Sequence, residues 1–144
     1  GDTAAIDTLV RTASTLSLAG GVALTVPLLL GLDPILRVLG PSFAASSSLV
    51  SILVIGQLVN AGLGPNGPTL QMIGLEREVV WVETAATILR LVAVVVAARA
   101  GSIVGVAFAI TVTTALRNLA LSTTLYRRAG ILTLPQIPRR AHRR

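Results

Sequence analysis

The sequence predicts an all-α polytopic membrane protein with four transmembrane helices, and three observations carry that expectation. Of the 144 residues, 53% are hydrophobic and 12% charged, about half the charged share of a typical soluble domain. Mean hydropathy is +0.81. Uncharged stretches recur at lengths near the ~20 residues that a helix needs to cross about 30 Å of hydrocarbon. The same composition excludes disorder, which requires a polar chain. With no cysteine and a single histidine, His142, the chain offers no disulfide framework, thiolate nucleophile or metal cluster, and no cofactor is expected.

The first span covers residues 12–32, between Arg11 and Asp33. Its Ala13, Ser17, Gly21 and Thr25 recur at every fourth position and form a small-residue face for close helix packing. Pro27 removes one backbone bond and predicts a kink. Gly31-Leu32-Asp33-Pro34 and Gly40-Pro41-Ser42 carry stop and turn signals, which predicts a loop at 33–43. The second span, 43–74, is interrupted at 64–68 by Gly64-Pro65-Asn66-Gly67-Pro68. After the polar turn Leu75-Glu76-Arg77-Glu78, a third span covers 79–98 and a fourth 102–126, with Ser102 placed as its N-cap. Residues 1–131 thus form the helical part, and 132–144 a basic, exposed tail.

A net charge of +6 and a pI near 11.7 raise the question of nucleic acid, which the placement of the charges answers. All twelve basic residues are arginine. With four crossings, Arg11, Arg77 and six arginines from Arg127 onward share one side, against Arg37 and Arg99 on the other. The excess marks both termini as cytoplasmic and lets the tail rest on anionic membrane lipids. No recognition helix, RNP-like run or zinc finger accompanies it, so no nucleic-acid partner is expected. Trp81 and Tyr126, at the start of the third span and the end of the fourth, read as interfacial anchors.

The polar residues inside the spans are the candidates for function. Gln57, Asn60 and Gly64 share a helical face just before the break. Either they line a translocation path, as broken helices often do, or the break is a proline kink whose amides bond across helices. In the third span Glu83, Thr87 and Arg90 share a face, with Arg90 close to the bilayer centre, where a charge costs at least ~2.5 kcal/mol and must face a partner or a cavity. Glu83 is about 10 Å away along the axis. One reading is a structural Glu83–Arg90 bridge; the other is an arginine that receives an anionic group, a task suited to its planar fork. The fourth span groups Thr114, Arg117 and Asn118, and Arg117 is expected to snorkel to the cytoplasmic interface. No Ser-His-Asp set, phosphate loop or metal-binding His pair is present, so no enzyme is expected.

The order of these features resembles a known family. The run Ile35-Leu36-Arg37-Val38-Leu39-Gly40-Pro41-Ser42-Phe43 leads into Leu58-Val59-Asn60-Ala61 and Gly64-Pro65-Asn66-Gly67-Pro68-Thr69-Leu70-Gln71-Met72-Ile73-Gly74, and Leu125-Tyr126-Arg127-Arg128-Ala129-Gly130-Ile131 closes the last helix. This is similar to the C-terminal part of the bacterial polysaccharide flippases, which move lipid-linked oligosaccharides across the cytoplasmic membrane and share a superfamily with the multidrug and toxic compound extrusion transporters. The resemblance implies a two-lobed transporter that works by alternating access, with a lipid-linked glycan as substrate. Its four helices here would close the second lobe, the remaining helices lying outside the 144 residues. Gln57, Asn60, Thr87 and Arg90 would line the path, with Glu83 and Arg117 as secondary candidates. Two other readings stay open: a cation-coupled drug exporter, which needs an embedded carboxylate, and a small four-helix scaffold subunit.

Overall fold

Charge and proline punctuate the chain into six helices among the described residues, which in the computed structural model are 3–40, 43 and 46–130, the first five as backbone alone. The helices are α1 (Thr3–Leu30), α2 (Leu32–Leu39), α3 (Ser47–Gly62), α4 (Asn66–Met72), α5 (Glu76–Arg99) and α6 (Ile103–Ala129). No strand occurs among the described residues. Four stretches are long and apolar enough to cross a membrane: Thr8–Leu30, Ser47–Met72, Glu76–Arg99 and Ile103–Ala129. The basic tail from 132 onward, together with Pro41 and Ser42, lies outside the described residues.

Two boundaries differ from the sequence expectation, for one physical reason. The predicted loop at 33–43 is largely helix, since α2 runs through Asp33 and Pro34. Likewise, the break expected at 64–68 narrows to residues 63–65, and Asn66, Gly67 and Pro68 are the first turn of α4. Pro34 and Pro68 each occupy the third helical position. There the backbone N–H has no intrahelical acceptor, so a proline costs no bond. Pro27, by contrast, sits inside α1, which continues to Leu30.

The remaining joints follow from capping. Ser102 is the N-cap of α6, and its Oγ accepts the N–H of Gly105 at 2.9 Å. At the other end Gly130 adopts φ +67°, and its N–H bonds Tyr126 O at 2.9 Å, a left-handed cap that a Cβ would strain. Ser102→Ala is expected to cost about 1 kcal/mol. A lower unfolding midpoint in a thermal or SDS titration checks it.

Packing places α6 between α3 and α5, with α1 on the far side of α3 and short α4 against α5 and α6. On α1 the small-residue face does meet α3: a Cβ on Gly21 would stand 3.3 Å from both Ala61 Cβ and Leu58 Cδ1. The buried apolar core gathers at one end, where Val10, Leu70, Val79, Leu121 and Leu125 join. Arg128 and Glu78 pair at 3.4 Å at that end, and Trp81 and Tyr126 stand exposed beside them. Elsewhere the helices present their apolar side chains outward, among them Leu24, Leu30, Leu91 and Val96, each more than 60% exposed. In water such surfaces are unfavourable; in hydrocarbon they face a matching solvent.

Candidate functional site

A polar chain crosses the bundle from α3 through α6 to α5. It begins at Asn60, two residues before the end of α3, whose Nδ2 donates to Gln57 Oε1 at 3.4 Å. Asn118 on α6 donates its Nδ2 to Asn60 Oδ1 and accepts on its own Oδ1 from Arg117 Nη1 at 3.2 Å. Arg117 then turns its other two nitrogens to Glu83 on α5. Nε donates to Oε2 at 2.7 Å, and Nη2 to Oε1. The pairing is bidentate, the geometry in which arginine binds carboxylate most strongly. Asn118 is buried, which fixes the middle of the chain.

This arrangement differs from both charge readings of the sequence. Glu83 bridges Arg117 on the neighbouring helix rather than Arg90 on its own. Arg117 is held inside the bundle by Glu83 and Asn118 rather than extended toward an interface. The axial separation of Glu83 and Arg90 explains the first difference, because a carboxylate across the α5–α6 seam is nearer than one about 10 Å along the helix.

Arg90 is therefore left to neutral partners. It is the fifteenth of the 24 residues of α5. Its Nη2 donates to Thr114 Oγ1 at 3.0 Å and its Nε to Thr113 Oγ1 at 3.4 Å. Both threonine hydroxyls give their own protons to α6 carbonyls, Thr113 to Ala109 O at 2.7 Å and Thr114 to Ile110 O at 2.8 Å. Their oxygens thus face Arg90 as acceptors. No carboxylate pairs with Arg90 among the described residues. A half-buried guanidinium near the middle of an apolar helix, solvated by two hydroxyls, keeps its positive charge available to an anion.

The helix break supplies a second polar feature. Gly64 turns at φ +75°, a conformation that favours glycine, and the chain re-enters helix at Asn66. Asn66 Nδ2 satisfies the break by donating to Leu63 O at 2.9 Å and to Asn118 O at 3.5 Å. Its Oδ1 is buried without a hydrogen-bond partner. Beside it lies a cavity of about 240 Å³, lined in part by Ser17, Asn60, Pro65, Asn66, Arg117 and Asn118.

Of the expected path residues, Asn60 joins the secondary candidates Arg117 and Glu83 in one network, with Gln57 at its exposed edge. Arg90 forms a separate cluster with Thr113 and Thr114. Thr87 is exposed and takes no part in either. Sequence reasoning grouped Asn118 with Arg117 without giving it a role, and did not assign Asn66 or Thr113 to a site. The signal for the two asparagines was present, because an amide in an apolar span needs a partner across a seam. Comparison with family models, with curated proteins and with solved structures finds no match to this chain.

Proposed function

We propose that the chain contributes four transmembrane helices to a transporter that moves a lipid-linked oligosaccharide across the bacterial cytoplasmic membrane by alternating access. In this reading the segment's termini lie in the cytoplasm, as its arginine distribution favours. The remaining helices complete the cavity, and the chain performs no covalent chemistry. The observation that carries the reading is Arg90, near the middle of α5 with hydroxyl rather than carboxylate partners. Such a group suits the phosphate of a lipid carrier, whose oxygens match the guanidinium fork. The glycan assignment rests on the sequence resemblance. A cation-coupled exporter is less well supported, because Glu83, the carboxylate deepest in α5, is engaged by Arg117.

The test is export of lipid-linked glycan by the full-length protein with Arg90→Ala, compared at equal membrane abundance. Loss of a charged hydrogen bond worth about 1.5–3 kcal/mol lowers export roughly tenfold or more. Arg90→Lys keeps the charge and recovers only part of it, since the bidentate fork is gone. Wild-type export by Arg90→Ala removes Arg90 from the path and withdraws the main support for the reading.

A further inference from the structure

We propose that α2 is an interfacial helix that lies on the membrane with Ile35, Val38 and Leu39 immersed among lipid chains. The proposal concerns the joint between the first two spans and goes beyond the transport reading. It starts from position. Thr8–Leu30 already supplies 23 helical residues, about 34 Å at 1.5 Å per residue against a hydrocarbon core of about 30 Å. The residues after Leu30 therefore fall at headgroup level.

Seven of the eight residues of α2, all but Pro34, divide into three sides. Leu32 and Leu36 are both 5% exposed and form the side packed on the bundle, where α2 touches α1 and α3. Asp33 and Arg37 are exposed together on a second side, one turn apart. Ile35 lies opposite them, about 180° from their midpoint at 100° per residue. Leu39 and Val38 flank Ile35 on either hand, and the three are 61%, 87% and 46% exposed for Leu39, Val38 and Ile35 respectively. A helix with a wet side, an apolar side opposite and a packed side between them matches a water–lipid boundary running along its axis. At the end of α1, just before this helix, Leu28 and Leu30 are exposed as well. Lipid is thus the occupant that accounts for both the charged and the apolar exposure. Because α2 is tethered to a span, it needs no membrane affinity of its own.

These 144 residues contain no cysteine, so a label introduced here is unique once any cysteine of the remaining helices is replaced by serine. Ile35→Cys, Arg37→Cys, Val38→Cys and, as a reference within a span, Leu91→Cys are prepared in the full-length protein. Each carries a nitroxide, and the protein is reconstituted in phosphatidylcholine–phosphatidylglycerol vesicles. Power saturation with oxygen and with a water-soluble nickel chelate reads depth. The expected result is an oxygen-to-nickel accessibility ratio several-fold higher at 35 and 38 than at 37, with Leu91→Cys deeper still. Nickel accessibility at 35 and 38 equal to that at 37 puts the helix in water and overturns the proposal. Protection of 35 and 38 from both reagents means that protein covers this face, which also overturns it. If Leu91→Cys is open to nickel, the span reading fails together with it. No transport enters these measurements, so they stand apart from the export test.

Discussion

Glu83→Gln is expected to destabilise the bundle by about 3 kcal/mol, the scale of an arginine charge left unpaired in an apolar span. The wild-type carboxylate meets Arg117 through both oxygens. Glutamine keeps one carbonyl oxygen but removes the countercharge, and it turns an amide N–H₂ toward a guanidinium that has only donors. The damage extends beyond the pair, because Arg117 also donates to Asn118, which holds Asn60 on α3. A charge-free replacement separates electrostatics from shape. Glu83→Leu combined with Arg117→Met removes both charges but also the donor to the buried Asn118 Oδ1, so part of the lost stability returns. Fraction folded against SDS, read on the reconstituted protein, compares the three chains. Unfolding of Glu83→Gln at the wild-type SDS fraction shows that the ion pair contributes nothing to stability.

That pair also marks where the sequence stops being legible. The four long apolar helices were readable because charges punctuate the chain: Arg11, Asp33, Glu76 and Arg99 lie near segment ends. The cap at Ser102 was readable because an N-cap is a local device. Asp33-Pro34 misled because a proline after a stop signal looks the same in a loop and in the first turn of α2. The partner of Glu83 was a different problem. Periodicity places Glu83 and Arg90 on one face of α5, but it carries no information on how α5 is rotated against α6. That rotation decides that Glu83 meets Arg117 while Arg90 meets Thr113 and Thr114. Asn60 and Asn118, 58 positions apart, bond across a seam whose register is equally hidden from sequence spacing.

The α3–α6 register rests on a residue that no motif singled out. Gly56 faces Thr111, and a Cβ there would stand 2.6 Å from Cγ2, 2.8 Å from Oγ1 and 3.2 Å from Cβ of that threonine. Two of these approaches are closer than side chains tolerate, so α3 and α6 lie as near as they do only because position 56 has no side chain. Gly56→Leu forces the helices apart and is expected to cost about 1–3 kcal/mol by overpacking. The same displacement reaches Asn60, one turn further along α3, and breaks its bond to Asn118. Gly56→Ala poses a smaller conflict, in which the clash opposes a gain of about 1 kcal/mol in helix propensity. Adding Thr111→Ala removes the two nearest atoms and leaves only Cβ at 3.2 Å, at the loss of a 3.5 Å bond to Ile52 O. The double variant is then at least as stable as the wild type, Gly56→Ala is weaker and Gly56→Leu weakest, an order that SDS unfolding resolves. A Gly56→Leu chain as stable as the wild type means that the seam has room to spare, and that the Asn60–Asn118 bond is not held in place by close packing at Gly56.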